Sequence, residues 1–320
     1  MISLRTDFPE LQVGRLCELF GVTKQAYYQS ISRKCDEESN DELILQLVMD
    51  IRLQMPRLGT RKILHVLREQ YAVDVGRDHL FDLMRDNGLL YRTRKRHYNT
   101  TFSRHNMRTY PNLIKEIVPM RANEIWVSDI TYIVFGYEFR FLFLITDAYS
   151  RKIVGWKYAD NLLTENAIDA LKMALRQRQS RLPLIHHSDR GTQYCAGKYI
   201  ATLKRHKIQP SMTDHGDPRE NGVAERVNGI LKNEFIAYQS DFSIENAEKR
   251  IAEIIRIYNG SRPHLSLGML TPNEAHCMTG EQNRLWKVYY RCKKDDNYEK
   301  SDNFANADNK DDDLLDRSPT

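Results

Sequence analysis

The sequence predicts an α/β fold: a mixed five-stranded sheet with flanking helices, preceded by an all-α region. Three observations carry this. Residues 124–159 read as three consecutive strands joined by short links. After them, helical and strand-like segments alternate. The segments read before residue 91 are helical. Strands in succession form an antiparallel meander, and the alternation that follows adds helices to its faces.

The elements follow in order. Residues 13–28 (VGRLCELFGVTKQAYY) predict a short helix, a turn at Gly21 and a second short helix capped by Thr23. Residues 41–70 carry helical periodicity, broken near Pro56 to Gly59. A helix then covers Arg77 to Asn87, stopped by Gly88. Leu80, Leu83 and Met84 share one face of it, and Arg77, His79 and Arg85 lie off that stripe. Helices with a tight turn and a basic outer face fit a helix-turn-helix unit; a plain helical bundle is the alternative. EIWVSDITYIVF is the first strand, GYEF a hairpin, RFLFLITDAY the second strand and KIVGWKYA the third. A helix (TENAIDALKMALRQRQ), a short strand (LPLIHHSD), a helix over Gln193 to Lys207 and a strand over Ile208 to Met212 come next. Helices over 220–236 and 244–258 complete the pattern.

Composition excludes several classes. The chain has 320 residues, 41% hydrophobic and 28% charged, which suits more than one domain and a sizeable core. Its longest aliphatic and aromatic run, Phe141 to Ile145, is far below the roughly 20 residues of a membrane span. Arg5 and Asp7 interrupt the N-terminus, so no secretory signal is read and a cytoplasmic protein is expected. Cys17, Cys35, Cys195, Cys277 and Cys292 form no C-x-x-C or Cys/His cluster, so reduced thiols are expected. The net charge of +5 divides unevenly: residues 295–320 carry −6 and the preceding 294 carry +11. The acidic tail has too few apolar residues to offset ordering. The stretch 91–110 holds six Arg and Lys, two His, four aromatics and no acid, the composition of a phosphate-contacting linker. Arg92, Arg94, Lys95 and Arg96 are its densest part, and DNA is the partner implied.

Three carboxylates stand out. Asp129 sits within the first strand, where a lone charge is costly to bury. Asp189 ends the fourth strand, where sites gather in open α/β sheets. Glu225 lies near the start of a helix. At about 100° per residue, Val223, Val227, Ile230 and Leu231 form that helix's apolar stripe. Glu225, Asn228 and Lys232 fall on the opposite side, an acid, an amide and a cation facing one region. There a carboxylate would hold a metal while Lys232 meets a phosphate; an ordinary exposed face is the alternative. Carboxylates are the hard ligands magnesium prefers, and a pair of divalent ions supports phosphoryl transfer. Alternation puts His187 on the side of Asp189 and Trp126 on the side away from Asp129. Asp147 ends the second strand and reads as turn chemistry or support. Asp217 and Glu220 are rival third acids, at a loop and a helix start. Asn228 and Lys232 are candidate DNA contacts, as are Arg262 and His264 in SRPH, where a loop cation is the alternative.

At these residues the sequence resembles a family. Asp129 in WVSDITYI, Asp189 in HHSDRGTQY and Glu225 in NGVAERVNGILK, with 35 residues between the last two, resemble the D-D-(35)-E signature of insertion-sequence transposases of the retroviral-integrase superfamily. DAYSRKIVGW, Lys232 seven residues after Glu225, YNGSRPHLSLGMLTPNEA and PRLGTRKILHVLREQ…LMRDNGLL are similar to further family segments. The likeness covers roughly residues 13–278 and leaves out the acidic tail.

The resemblance implies a ribonuclease-H-like catalytic fold and a triad of Asp129, Asp189 and Glu225 holding two magnesium ions, with manganese as a substitute. It implies cutting and joining of DNA at 3′-hydroxyls by a homo-oligomer in a bacterial, nucleoid-associated setting. It also implies a frameshift origin. No leucine zipper is read here, so the chain is expected to be the downstream-frame product alone, with an upstream helix-turn-helix and zipper product as partner, or a variant that lacks that part. The expected division is 1–35, a short helix-turn-helix-like segment; 36–97, a helix-turn-helix DNA-binding domain; 98–118, a basic linker; 119–278, the catalytic domain; 279–294, an extension; and 295–320, the acidic tail. The competing readings are a non-catalytic DNA-binding regulator, an inactive copy and a simple nuclease.

Overall fold

The computed structural model describes residues 8, 10–91, 107–135, 137–214, 218–238 and 242–282. Helices α1 (Val13–Leu19), α2 (Lys24–Gln54), α3 (Thr60–Tyr71) and α4 (Arg77–Asp86) precede the sheet. Strands β1 (Ile125–Phe135), β2 (Glu138–Asp147) and β3 (Ile153–Ala159) follow, then α5 (Thr164–Gln177), β4 (Leu184–Ser188), α6 (Thr192–Cys195), α7 (Gly197–Arg205) and β5 (Ile208–Met212). Helix α8 (Gly222–Ile230) runs into a π turn at Leu231–Phe235, and α9 (Ala247–Gly260) and α10 (Pro272–His276) close the described chain. Among the described residues, no helix is long and apolar enough to cross a membrane.

The sheet order is β3-β2-β1-β4-β5. The first three strands are antiparallel, and β1–β4 and β4–β5 are parallel. This is the ribonuclease-H-like arrangement expected from the sequence. On one face, Trp126, Phe143, Ile145 and Val154 pack with residues of α5, α6 and α7. On the other, Ile133, Leu142, Leu144 and Ile153 share a core with α8, α9 and, further out, α2, α3 and α4. The N-terminal helices and the sheet therefore bury one continuous apolar cluster. Arg57 fastens the same junction, lying 4.8 Å from the ring centroid of Tyr91 and 4.2 Å from that of Tyr238.

Several elements differ from the sequence reading. The second short helix after Thr23 is the beginning of a 31-residue helix. Thr23 does cap it, accepting from the backbone N–H of Ala26 at 3.1 Å. The expected boundary at residue 35 falls inside this helix. Residues 24–54 contain neither Gly nor Pro, so nothing in the backbone stops it. Its exposed middle lacks the apolar stripe that would have announced it. The helix expected over 193–207 is two, parted at Ala196, whose backbone is extended. Residues 110–114, expected within a basic linker, run beside the edge strand β5: Leu113 N–H donates to Ser211 Oγ at 2.9 Å, and Met212 N–H donates to the Pro111 carbonyl at 3.4 Å. Cys17, Cys35, Cys195 and Cys277 are free thiols; Cys292 lies outside the described residues.

One glycine is set by close approach. A Cβ on Gly155 of β3 would stand 2.2 Å from the Ala170 carbonyl oxygen and 2.9 Å from Ala174 Cβ of α5. Only a missing side chain lets the helix lie this near the strand. Gly155→Ala is expected to cost about 3 kcal/mol of stability by overpacking, read as a lower urea midpoint at unchanged slope.

Candidate active site

The parallel register of β1 and β4 builds the site. Val127 pairs with His187 and Ser128 with Ser188. The next residues are Asp129, still within β1, and Asp189, just past the end of β4 and near enough for its charge to act on Asp129. Asp129 is half-buried on the sheet face that α8 covers. Its Oδ1 accepts from the N–H of Ile130 at 2.8 Å and its Oδ2 from Asn228 Nδ2 at 2.7 Å. Burial, then the charge of Asp189, and last that of Glu225 push its carboxyl up to about 7, against the two hydrogen bonds. Asp189 Oδ1 accepts from the N–H of Gly191 at 3.0 Å, an Asx turn that aims the carboxylate just past the strand end.

Helix α8 supplies the third side. Asn228 is 6% exposed and is committed to Asp129. The sequence reading had offered it to DNA; the structure gives it to the carboxylate. Lys232 is half-buried, so burial lowers its pKa while the charge of Asp129 opposes the shift. Glu225 is exposed, yet close enough for its charge to act on Asp129. Among the described residues, no three acidic, histidine or cysteine side chains stand at metal-binding distance of one another. The structure thus sets Asp189 near Asp129 and places Glu225 at the exposed rim, close enough to act on Asp129.

Beneath the pair lies a polar layer that sequence reasoning missed. His186 Nε2 meets Ser128 Oγ at 2.7 Å and the Tyr199 hydroxyl at 2.9 Å. Burial pushes His186 down to about 3, so it is a neutral tie between β1, β4 and α7. Asn221 Nδ2 donates to the Ser128 carbonyl at 2.9 Å, holding the start of α8 to the residue before Asp129. An asparagine just ahead of a helix signals a cap, but it caps nothing here, and only the fold reveals its partner.

The remaining candidates fall elsewhere. His187 is fully buried, with Nδ1 at 2.8 Å from Ser211 Oγ, and burial pushes it down to about 4. Asp147 is the hub of the β2–β3 turn: it accepts from the Asn123 N–H at 2.7 Å and from the Ser150 N–H and hydroxyl at 2.8 and 2.7 Å. Trp126 is buried on the opposite sheet face and donates to Asn123 Oδ1. Glu220 Oε2 accepts from the Asp214 N–H at 2.6 Å. Asp217 and the linker cations Arg92, Arg94, Lys95 and Arg96 lie outside the described residues.

Arg262 and His264 are corrections. Arg262 is 1% exposed and chelates Glu234, with Nε to Oε2 at 2.9 Å and Nη2 to Oε1 at 2.9 Å. His264 is buried at 3.1 Å from Arg262 Nη1, edge-on to the Tyr258 ring. Neither faces solvent. Asn259 of the same segment bonds both the N–H and the carbonyl of Ile153 on edge strand β3, at 2.9 and 3.0 Å. The segment works as a clamp because a backbone edge and a carboxylate await it.

Residues 119–218 and 206–272 match families described as integrase core domain, and residues 38–97 match an HTH-like domain. The chain is 33% identical over 264 residues to the 31 kDa protein of insertion element IS600 from Shigella sonnei, covering 80% of this chain and 96% of that one. The chain belongs to the integrase-core family of insertion-sequence transposases. It is also similar to the transposase for insertion sequence element IS629 of Shigella sonnei, 28% identical over 82% of this chain and 90% of that one. The transposase InsF for insertion sequence IS3A of Escherichia coli is 26% identical over 83% and 94%. Among solved structures, the catalytic core domain of the HTLV-2 integrase is 19% identical, with a TM-score of 0.40 over 49% of this chain and 97% of that one.

This family membership makes the role of Arg262 a sharp question. Arg262→Ala is expected to lower stability by about 3 kcal/mol, because Glu234 is left without its countercharge. Its affinity for duplex DNA is expected to stay within about twofold once folded, since the native side chain never reaches solvent. Chemical denaturation and a filter-binding titration read the two effects separately.

Proposed function

We propose that this transposase cuts DNA at the ends of its element and joins the freed 3′-hydroxyls to a second phosphodiester, using Asp129, Asp189 and Glu225. The observation that carries this is the adjacent pair Asp129 and Asp189, held in place by Asn228 beneath a helix that presents Glu225 and Lys232. Hard carboxylate oxygens fit a divalent cation, and a carboxyl raised to about 7 by burial and then by its acidic neighbours is a place where a cation would relieve the local field. Magnesium, or manganese in its stead, most simply as two ions on these three acids, would supply charge neutralisation at the attacked phosphate and at the leaving oxygen.

The chain's own groups set the geometry. Asn228 and the Ile130 N–H fix the rotation of the Asp129 carboxylate. The Gly191 N–H fixes that of Asp189. Lys232, beside the acids, offers its ammonium to a backbone phosphate. Water attacks the phosphorus at the element's end, the bond to the 3′-oxygen breaks, and that oxygen leaves as a hydroxyl. In the second step this 3′-hydroxyl attacks another phosphorus in line, releasing a new 3′-hydroxyl from the target. Positioning and neutralisation carry both steps without a covalent enzyme intermediate.

Each chain has one such site, and an element has two ends, so we extend the proposal to a homo-oligomer on paired ends. An upstream-frame product carrying a zipper would be its accessory partner. The basic stretch at 92–96 is proposed to track duplex phosphates.

Two measurements test this. Asp129→Asn and Glu225→Gln are each expected to lower strand joining on supercoiled element DNA with magnesium by at least about a hundredfold, at unchanged DNA affinity. Full activity in either variant would remove that residue from the site. Neutralising Arg92, Arg94, Lys95 and Arg96 together is expected to flatten the log–log salt dependence of duplex binding by about 3 to 4 units. An unchanged slope would mean that these side chains do not meet phosphate.

A further inference from the structure

Helix α1 and the start of α2 form a small unit that the catalytic site does not use. Leu16 and Cys17 of α1 and Tyr27 of α2 are its buried residues. The turn between the helices is short: Gly21 takes φ +64°, the Val22 N–H donates to the Cys17 carbonyl at 3.0 Å, and Thr23 caps α2. Beyond this unit, Cys35 to Asn40 of α2 are exposed, so the unit stands at the far end of the helix from the shared core, which begins at Ile44. The family match to an HTH-like domain begins at residue 38 and leaves the unit out.

We propose that residues 13–34 are a second duplex-reading module, docking the start of α2 in a DNA major groove. The proposal rests on the DNA-joining function above and adds to it a place where sequence is read. Two helices joined by a tight turn, the second presenting its first turns outward, is the geometry with which such units enter the groove. With Tyr27 inward, Gln25, Gln29, Ser32 and Arg33 fall on the outward side at i, i+4, i+7 and i+8, and all four are exposed. Glutamine bonds the adenine edge, arginine the guanine edge, and serine either, so this face carries base-reading chemistry.

Charge supports the same partner. Residues 19–35 hold Lys24, Arg33 and Lys34 and no acid, whereas residues 36–42 hold Asp36, Glu37, Glu38, Asp41 and Glu42. Only the first third of α2 attracts phosphate, and the acidic stretch after it repels a duplex lying further along. The module therefore reads a block of its own, separate from whatever the other helix-turn-helix contacts.

Selection from a pool of random-sequence duplexes tests this with the full chain, the Gln25→Ala/Gln29→Ala/Arg33→Ala variant, and Glu225→Gln. The full chain and Glu225→Gln are expected to enrich the same two-block motif. The triple variant is expected to lose one block and to bind the full motif about 100-fold less tightly, with unchanged circular dichroism. If the triple variant enriches the same motif with affinity within about threefold, or if the full chain enriches no motif, the proposal is overturned. A changed oligomeric mass with an unchanged motif also overturns it, in favour of a protein contact at this face. The catalytic reading fails separately, through retained strand joining in Glu225→Gln, and leaves the motif comparison intact.

Discussion

The parallel pairing of β1 with β4 decides where two negative charges meet. Ser128 opposite Ser188 brings Asp129 alongside Asp189, and a slip of one residue would send one of them to the other face of the sheet. The pairing is tied on both faces. On one, the neutral His186 joins Ser128 to Tyr199. On the other, α8 reaches across with Asn221 to the Ser128 carbonyl and with Asn228 to the Asp129 carboxylate. Two like charges held side by side raise the energy of the folded chain, and this lattice of neutral hydrogen bonds keeps them there. Burial and the neighbouring acids thus raise Asp129 on a support of hydrogen bonds.

The same economy governs the cations. Arg262 sits inside, bonded to Glu234 of the π turn that follows α8. Lys62 of α3 lies near this pair; burial, reinforced by Arg262 and opposed by Glu234, lowers it to about 8. The helical region and α8 are joined by the continuous apolar cluster. Arg57 between Tyr91 and Tyr238 adds a further tie. DNA held by the N-terminal helices would bear on the elements that carry the acids through packed side chains.

Strands β1, β2 and β3 were legible because alternation and β-branched residues mark them locally, and Asp129 stood out as a charge within one of them. Asp189 was legible from its place at a strand end. The long α2 was not, since a polar middle has no stripe to read. Asn228, Arg262 and His264 were misplaced for a different reason. Their chemistry suits DNA, and nothing adjacent in sequence reveals that Asp129, Glu234 or Tyr258 has already engaged them. Asn221 escaped notice because a capping asparagine looks the same wherever it occurs, and the partners of the strand histidine His186 lie too far along the chain to be read.

By itself the sequence determined the α/β class, the order of the elements, the spacing of the three acids and the family they belong to, because these depend on residue types and intervals along the chain. The tertiary structure alone decided which polar groups face one another. It set Asp129 beside Asp189, turned Asn228 inward, sealed Arg262 against Glu234 and left Glu225 at the rim. Those outcomes depend on strand register and helix docking, where partners lie tens of residues apart and burial fixes which groups are enclosed and which are exposed.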